Sequence, residues 1–433
     1  MRNLRRELSV GLAALLGLLA AGLAGNAPFA AIHASSSPLT VDIFVPFSGP
    51  DGIFGPFTGA GCYPAVRVIN QAGGVLGHSL TCQGTDTKGD PADAVPAARR
   101  MLATTGGLVG ILGPSSDEGA ATIPIFEQAG VPFFTSSGQA AFDHVTNPYF
   151  YRLFPPDDAA GYAMALWAHR RHFTRAAAVF GSDPASQGTV PTLVKAFTKG
   201  GGRITINESI ALDQTSYRSE IERLLVTHPQ VIFTEVDPQT AATYFSELQQ
   251  LKGSLLPIIG ADPTLTPQWF SAVSSAIGTS NLLHYEVAEQ PATPPSKGTA
   301  WRLWNKALFA SKKQVAKPAQ YASNFTPEVE YDSVNILALA MVAAHSTSPK
   351  NFNRFISQVT VPRKGAVRVA TFSAGLAALR NGHEVQYIGV SGPFLLNKWH
   401  DAPNNFEIDH FDKKGNLVTI AHVTPQQIAS VAN

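Results

Sequence analysis

Residues 107–139 read GLVGILGPSSDEGAATIPIFEQAGVPFFTSSGQ, and the order of residue types in this stretch decides the fold class. Gly107–Leu112 is a short apolar run of strand length, and Val131–Thr135 is another. Glu118–Ala129 between them is helical in length and composition. A strand, a helix and a second strand at this spacing imply a right-handed crossover, and so a parallel sheet with helices on its faces. Two polar loops leave the carboxyl ends of these strands, Ser115-Ser116 after the first and Ser136, Ser137 and Gln139 after the second. In open α/β sheets that edge is where ligands sit.

The same rhythm extends in both directions. Leu39–Phe47 (LTVDIFVPF) is a strand ending in a Ser-Gly-Pro turn, Ala65–Gln71 carries a helix that stops at Gly73-Gly74, and Leu80–Asp86 is the next strand. Asp90-Pro91 opens the helix Ala92–Thr104, since Asp caps free amides and proline at the first helical position loses nothing. After Arg152 a second unit begins. It has helices at Asp158–Arg171, Gln187–Lys199, Tyr217–Thr227 and Gln239–Leu251, and strands at Ala176–Gly181, Arg203–Leu212, Gln230–Glu235 and Leu256–Gly260. Pro-rich Gln290–Lys297 reads as a surface loop or hinge-side linker, followed by helices at Trp301–Lys312 and Pro327–Ala344. Two α/β units with a crevice between them form a natural binding site.

The amino terminus reads as a targeting segment. Arg2, Arg5 and Arg6 precede the apolar run Val10–Ala24, and small residues at Gly22, Ala24, Gly25 and Ala27 offer cleavage sites, so residues 1–24 are assigned to a signal peptide. The run is short for a membrane span, and an uncleaved anchor is the alternative. The whole chain of 433 residues carries a formal charge of +1, which becomes −1 without that segment. This balance offers no basic surface for nucleic acid. Cys62 and Cys82, the two cysteines of the chain, fall in the exported part, where an oxidising compartment favours a disulfide over two separate buried thiols. The His169/His172 pair within HRRH reads as a solvated helix end, not a metal ligand pair. Nucleophile-elbow, Walker and dinucleotide-binding motifs are missing, so no catalytic residue, cofactor or metal is expected.

Several phrases converge on one family. They are Ser48-Gly49-Pro50, Phe57-Thr58-Gly59-Ala60, Ile69-Asn70-Gln71-Ala72-Gly73-Gly74-Val75-Leu76-Gly77, Asp86 with Asp90-Pro91, Ile111-Leu112-Gly113-Pro114-Ser115-Ser116, and Val131-Pro132-Phe133-Phe134-Thr135. Tyr331-Asp332-Ser333-Val334-Asn335 and Ser391-Gly392-Pro393 extend the set. The chain resembles the leucine/isoleucine/valine-binding proteins, type I periplasmic binding proteins of branched-chain amino acid ABC transporters, over residues 39–425. The resemblance implies an α/β fold of two Rossmann-like lobes, each a parallel sheet flanked by helices, joined by a three-strand hinge. It places the crossings near Phe154–Asp157, Tyr285–Glu289 and Phe394–Asp401. Lobe 1 then combines residues 38–156 and 287–397, and lobe 2 combines 157–286 and 398–433. It further implies a periplasmic or extracellular monomer that binds a small molecule and delivers it to a membrane permease; a ligand-sensing receptor of the same fold is the alternative.

In that family the ligand carboxylate is held by the serine after the third strand, which falls on Ser115 or Ser116. Residues after the fourth strand, here Ser137 and Gln139, also hold it. An acid of lobe 2 that pairs with the ligand ammonium falls on Asp262, and the aromatic residue of the first loop falls on Phe54, where tyrosine is common. Each position has a plainer use: a helix N-cap for Ser115 or Ser116, a polar turn for Ser137 and Gln139, and a cap before Pro263 for Asp262. Glu235 is a further candidate contact, whereas Asp237 before Pro238 reads as a helix cap. Gln187-Gly188 replaces the family's frequent Tyr-Gly. With Phe54 and Gln139, this opens the ligand to another amino acid, an amide or a small carboxylate. Pro64 and about two extra residues in the region before Asn70 imply a kinked or delayed first helix.

Overall fold

A computed structural model describes residues 36–432 apart from 50, 140–141, 292–297, 323, 395 and 403–404. Residues 36, 262 and 284–291 are described by their backbone alone. The signal peptide assigned to residues 1–24, and most of the proline-rich linker, therefore lie outside the described residues.

The chain begins with β1 (Ser36–Val45), α1 (Phe54–Gln71), β2 (His78–Asp86), α2 (Pro91–Thr104), β3 (Leu108–Leu112), α3 (Ser116–Ala129), β4 (Phe133–Thr135) and β5 (Phe150–Arg152). These strands form one sheet in the order β2-β1-β3-β4-β5, with every pairing parallel. Burial on both faces is written into β1. Val41, Ile43 and Val45 enter a core shared with α1, while Phe44 points into the core of α2 and α3. A strand covered by helices on both sides needs apolar side chains on both faces, interrupted here by buried Thr40 and by Asp42, which accepts from the Thr85 hydroxyl; each buried apolar side chain contributes about 1.5–3 kcal/mol.

The chain then enters a second sheet through α4 (Asp157–Arg170), β6 (Arg175–Gly181), α5 (Pro184–Gln187), α6 (Val190–Lys199) and β7 (Arg203–Ile210). It continues with α7 (Arg218–Leu225), β8 (Val231–Glu235), α8 (Pro238–Lys252), β9 (Ile258–Gly260), α9 (Pro267–Ile277), α10 (Thr279–Tyr285) and β10 (Glu286–Pro291). It returns to the first half with α11 (Thr299–Ala310), α12 (Phe325–Ala343), α13 (Pro349–Gln358), β11 (Val367–Val369), α14 (Phe372–Arg380) and β12 (Val385–Tyr387). It closes the second with β13 (Phe406–Phe411), β14 (Leu417–Val423) and α15 (Pro425–Ala432). The second sheet runs β14-β13-β10-β9-β8-β6-β7, parallel except where β13 joins β10 and β14. β6 divides its side chains as β1 does: Ala177 and Val179 face one core, and Ala176, Ala178 and Phe180 the other.

The chain passes from the first sheet to the second after β5, leaves it after β10 and returns to it at β13. β10 pairs with β9 and β13, so the chain stays with the second sheet through Pro291 and leaves later than residue 287. At the last crossing Asp401 bridges to Arg152, and the N–H of Ala402 donates to the Arg152 carbonyl, so lobe 1 continues past residue 397. The first helix also corrects expectation. It starts at Phe54, not Ala65, and runs through Pro64 without delay. Its glycines explain this, because a β-carbon on Gly61 would overlap the Pro327 carbonyl and the backbone of Tyr331 on α12. Close helix–helix packing outweighs poor intrinsic propensity here.

Cys62 of α1 and Cys82 of β2 form a disulfide with their Cα atoms 6.3 Å apart. His169 is not a solvated helix end: its ring stacks on Phe197 at 4.9 Å between centroids, and Nε2 lies 3.1 Å from the Phe197 carbonyl. Asp332 of α12 explains why two of the quoted phrases belong together. Its carboxylate accepts hydrogen bonds from Tyr387 Oη, the Val390 N–H, and both the N–H and hydroxyl of Ser391, at 2.7–3.0 Å. Burial nevertheless pushes it up to about 6.

Candidate functional site

β1, β3 and β4 run parallel in the first lobe and β6, β8 and β9 in the second, so in each the exit loops leave the same edge. α3, which follows β3, packs against α5, which follows β6. Asp157 is the first residue of α4. A β-carbon on Gly138 or on Gly188 would overlap its carboxylate, so the lobes meet there through two residues without side chains.

The two serines after β3 separate by role. Ser115 is the N-cap of α3, and its hydroxyl donates to Glu118 at 2.8 Å in a capping box. Glu118 is fully buried and also accepts from Thr87 Oγ1 at 2.9 Å, which keeps the Ser115 hydroxyl engaged with it. Ser116 turns the other way. Its hydroxyl lies 2.8 Å from that of Ser137, and the Gln139 N–H donates to the same Ser137 oxygen at 3.2 Å. Three of the expected site residues, Ser116, Ser137 and Gln139, are thus brought together beside the amino end of α3, where free amides favour an anionic group.

The other expected residues lie on separate elements. Phe54 opens α1 and is 39% exposed. The backbone of Asp262 lies where expected, just after β9 in a tight 3-10 turn over Asp262–Leu265, but its side chain lies outside the described residues. Asp237 caps α8, accepting from the N–H groups of Gln239 and Thr240, and Glu235 ends β8 in a buried position. Gln187 turns back onto its own lobe and donates to the Gly181 carbonyl.

Sequence reasoning missed a convergence of carboxylates. Burial raises Asp51 of the first loop, and so do the nearby charges of Asp183, Glu118 and Asp237. Burial likewise pushes Asp117 up to about 6, helped by Asp51, Asp183 and Glu118. Asp51 and Asp117 come from the first lobe, while Asp183, the N-cap of α5, and Asp237 come from the second. Asp51 lies in a turn, Asp117 in the first turn of α3, and Asp183 and Asp237 at helix N-caps, so no local motif signals their meeting. Glu330 on α12 lies fully buried behind the same edge. Burial pushes it up to about 8, with the Ser136 side chain as a partial offset.

Two α/β halves that the chain visits alternately define the fold class. The chain belongs to the periplasmic binding protein family, whose sequence pattern matches residues 38–415. It is 34% identical over 126 residues to Leu/Ile/Val-binding protein homolog 7 of Brucella abortus, covering 27% of this chain and 30% of that protein. The similarity to Leu/Ile/Val-binding protein BraC3 of Rhizobium johnstonii is 21% over 290 residues, 66% of this chain and 77% of the relative. Among solved structures, the leucine-binding protein LivK of Thermotoga maritima superposes with a TM-score of 0.69 at 17% identity, covering 90% of this chain and 99% of that one. A solute-binding protein of R. palustris in complex with benzoate gives 0.69 at 17% identity, with 90% and 97% covered. These likenesses support the type I periplasmic binding protein fold. Among the described residues no helix is long and apolar enough to cross a membrane.

Proposed function

We propose that the protein captures a small polar molecule bearing an ammonium group, a branched-chain amino acid or a related compound, and delivers it unchanged to the membrane permease of an ABC importer. The observation that carries this reading is the pairing of Ser116 with Ser137 beside carboxylates contributed by both lobes. The hydroxyl pair and the amides at the head of α3 suit a ligand carboxylate, and the carboxylates of Asp51, Asp117, Asp183 and Asp237 suit an ammonium, a role the family resemblance also gives to Asp262. Phe54 supplies an apolar wall.

The acidic lining also separates two ligand classes found among the structural neighbours. One neighbour is in complex with isoleucine and another with benzoate. A lone aromatic carboxylate entering beside Asp51, Asp117, Asp183 and Asp237 would meet like charge, whereas an amino acid carries the opposite charge with it. Export to the periplasm follows from the amino-terminal segment, with the mature chain beginning between Gly25 and Ser37. Amino-terminal sequencing of exported protein tests that assignment, and finding Met1 or Leu4 in the mature chain would overturn it.

A thermal-shift screen over amino acids, amides and small carboxylates tests the ligand reading, because binding to the folded state alone raises the melting temperature. Stabilisation by an amino acid and not by benzoate is expected. Stabilisation by benzoate alone would remove the ammonium from the proposal.

A further inference from the structure

Arg152 ends β5 at the first crossing between the lobes and is 1% exposed. Its Nε donates to Asp401 Oδ1 at 2.8 Å, and its Nη2 to Asp143 Oδ1. Its Nη1 reaches the carbonyl oxygens of Gly138 and Gln139 at 3.4 and 3.3 Å. The Arg152 backbone pairs with the last crossing, since its N–H donates to the His400 carbonyl and its own carbonyl accepts from the Ala402 N–H. Asp143 in turn makes carboxyl–carboxyl contact with Asp158, in the first turn of α4. These groups border a pocket of about 300 Å³ closed on the far side by Pro425, Ile428 and Ala429 of α15.

One cluster therefore gathers carboxylates from three different segments: Asp143 from lobe 1, Asp158 from lobe 2 and Asp401 from the last crossing. His144 also faces Asp158, the Asn397 side chain accepts from the Asp401 N–H, and the wall given by α15 is uncharged. Arg152 reaches Asp143 and Asp401 directly, whereas Asp158 touches the cluster through Asp143.

We propose that Arg152, Asp143 and Asp158 form a latch across the hinge that fixes the angle between the lobes and ties it to the loop carrying Ser137 and Gln139. Two carboxyl groups can hold each other only with a proton between them. When Asp158 loses its proton, its anion faces the Asp143 carboxylate, which keeps the direct ion pair with Arg152, so Asp158 and α4 with it are pushed away. Burial first, and then Asp143, push Asp158 up to about 6 from an ordinary 3.8. A raised value in this arrangement means that the arrangement binds the proton better than a separated one. The latch is thus most favoured below the ordinary carboxylate range and loses its advantage as pH rises through about 6. Because Arg152 also holds the Gly138 and Gln139 carbonyls, a change at the hinge reaches the ligand loop through one side chain. This inference needs no particular ligand and stands apart from the proposed function.

Small-angle X-ray scattering on the ligand-free protein from acidic to neutral pH tests it, with circular dichroism at each point to confirm that the chain stays folded. The radius of gyration is expected to increase with a midpoint near pH 6. Asp158→Asn donates to Asp143 without needing a proton, so this variant is expected to stay compact throughout and to lose the transition. Asp117→Asn removes a cleft carboxylate that titrates in the same range, and is expected to keep the transition. A parent radius that does not change with pH, or an Asp158→Asn variant with the parent's midpoint, would overturn the latch. A transition lost in Asp117→Asn and retained in Asp158→Asn would do the same.

Discussion

The hydroxyls of Ser116 and Ser137 lie 2.8 Å apart, although one follows β3 and the other follows β4. Parallel neighbouring strands bring their exit loops side by side, and here two small donors end up aimed at one point. Ser115, one residue earlier, spends its hydroxyl on Glu118 instead.

That division predicts opposite phenotypes for adjacent residues. Ser116→Ala and Ser137→Ala should each weaken ligand binding by about 1 kcal/mol, roughly fivefold, with little change in melting temperature. Ser115→Ala should lower stability by about 1 kcal/mol through loss of the cap, with affinity nearly unchanged. Calorimetry and thermal unfolding on the three variants decide it. Weaker binding by Ser115→Ala than by Ser116→Ala would reverse the assignment.

Asp262→Asn preserves shape while removing a charge. For an ammonium-bearing ligand, losing one partner of a desolvated pair should cost about 2–5 kcal/mol, roughly 30- to 5,000-fold in affinity. For a ligand without an amine the substitution should be neutral or tighten binding. Titration calorimetry distinguishes the two, and unchanged affinity for an amino acid would leave Asp262 as a turn residue.

Glu330 should make folding stability depend on pH. Its carboxyl is raised from 4.5 to about 8 by burial, so the folded chain binds this proton more tightly than the unfolded chain does. Stability from this group is complete below pH 4.5 and is lost progressively as pH rises toward 8. The loss at neutral pH is on the order of 3 kcal/mol. Urea unfolding across this range should show the decline in the parent, and a shallower one in Glu330→Gln, which stays neutral throughout. An equal slope in both proteins would show that Glu330 ionises in the unfolded and folded chains alike.

Reduction of the Cys62–Cys82 bridge should open a loop of 20 residues. On the chain-entropy model this lowers stability by about 3 kcal/mol. Mass spectrometry of the native protein should find it lighter by two hydrogens than the reduced form. Labelling of free thiols at both positions in the oxidised protein would refute the pairing.

The parallel sheets were legible because their signals are local. Asp90 does accept from the Ala92 N–H at the head of a helix opened by Pro91, and the apolar run of β1 is buried on both faces. Elements with weak local signals were not legible. The first turns of α1 contain Gly55, Gly59 and Gly61, which weaken the local helical signal, and what favours the helix is a close approach to α12 that is made at Gly61. The choice between Ser115 and Ser116 turns on where Glu118 points. The ion pair between Arg152 and Asp401 spans 249 positions in the chain, and the carboxylates at 51, 117, 183 and 237 come from four separate segments. Distances of that kind are set by topology, which a linear pattern does not carry.

The double visit to each lobe has a consequence for how the chain is made. When the first 310 residues have been synthesised, Val41, Ile43 and Val45 of β1 still lack the Val334, Leu337 and Met341 side chains of their shared core. The second sheet likewise waits for β13, whose pairing with β10 comes only after residue 405. Neither half is therefore built from one contiguous stretch of the chain, and each closes only when a late segment returns to it.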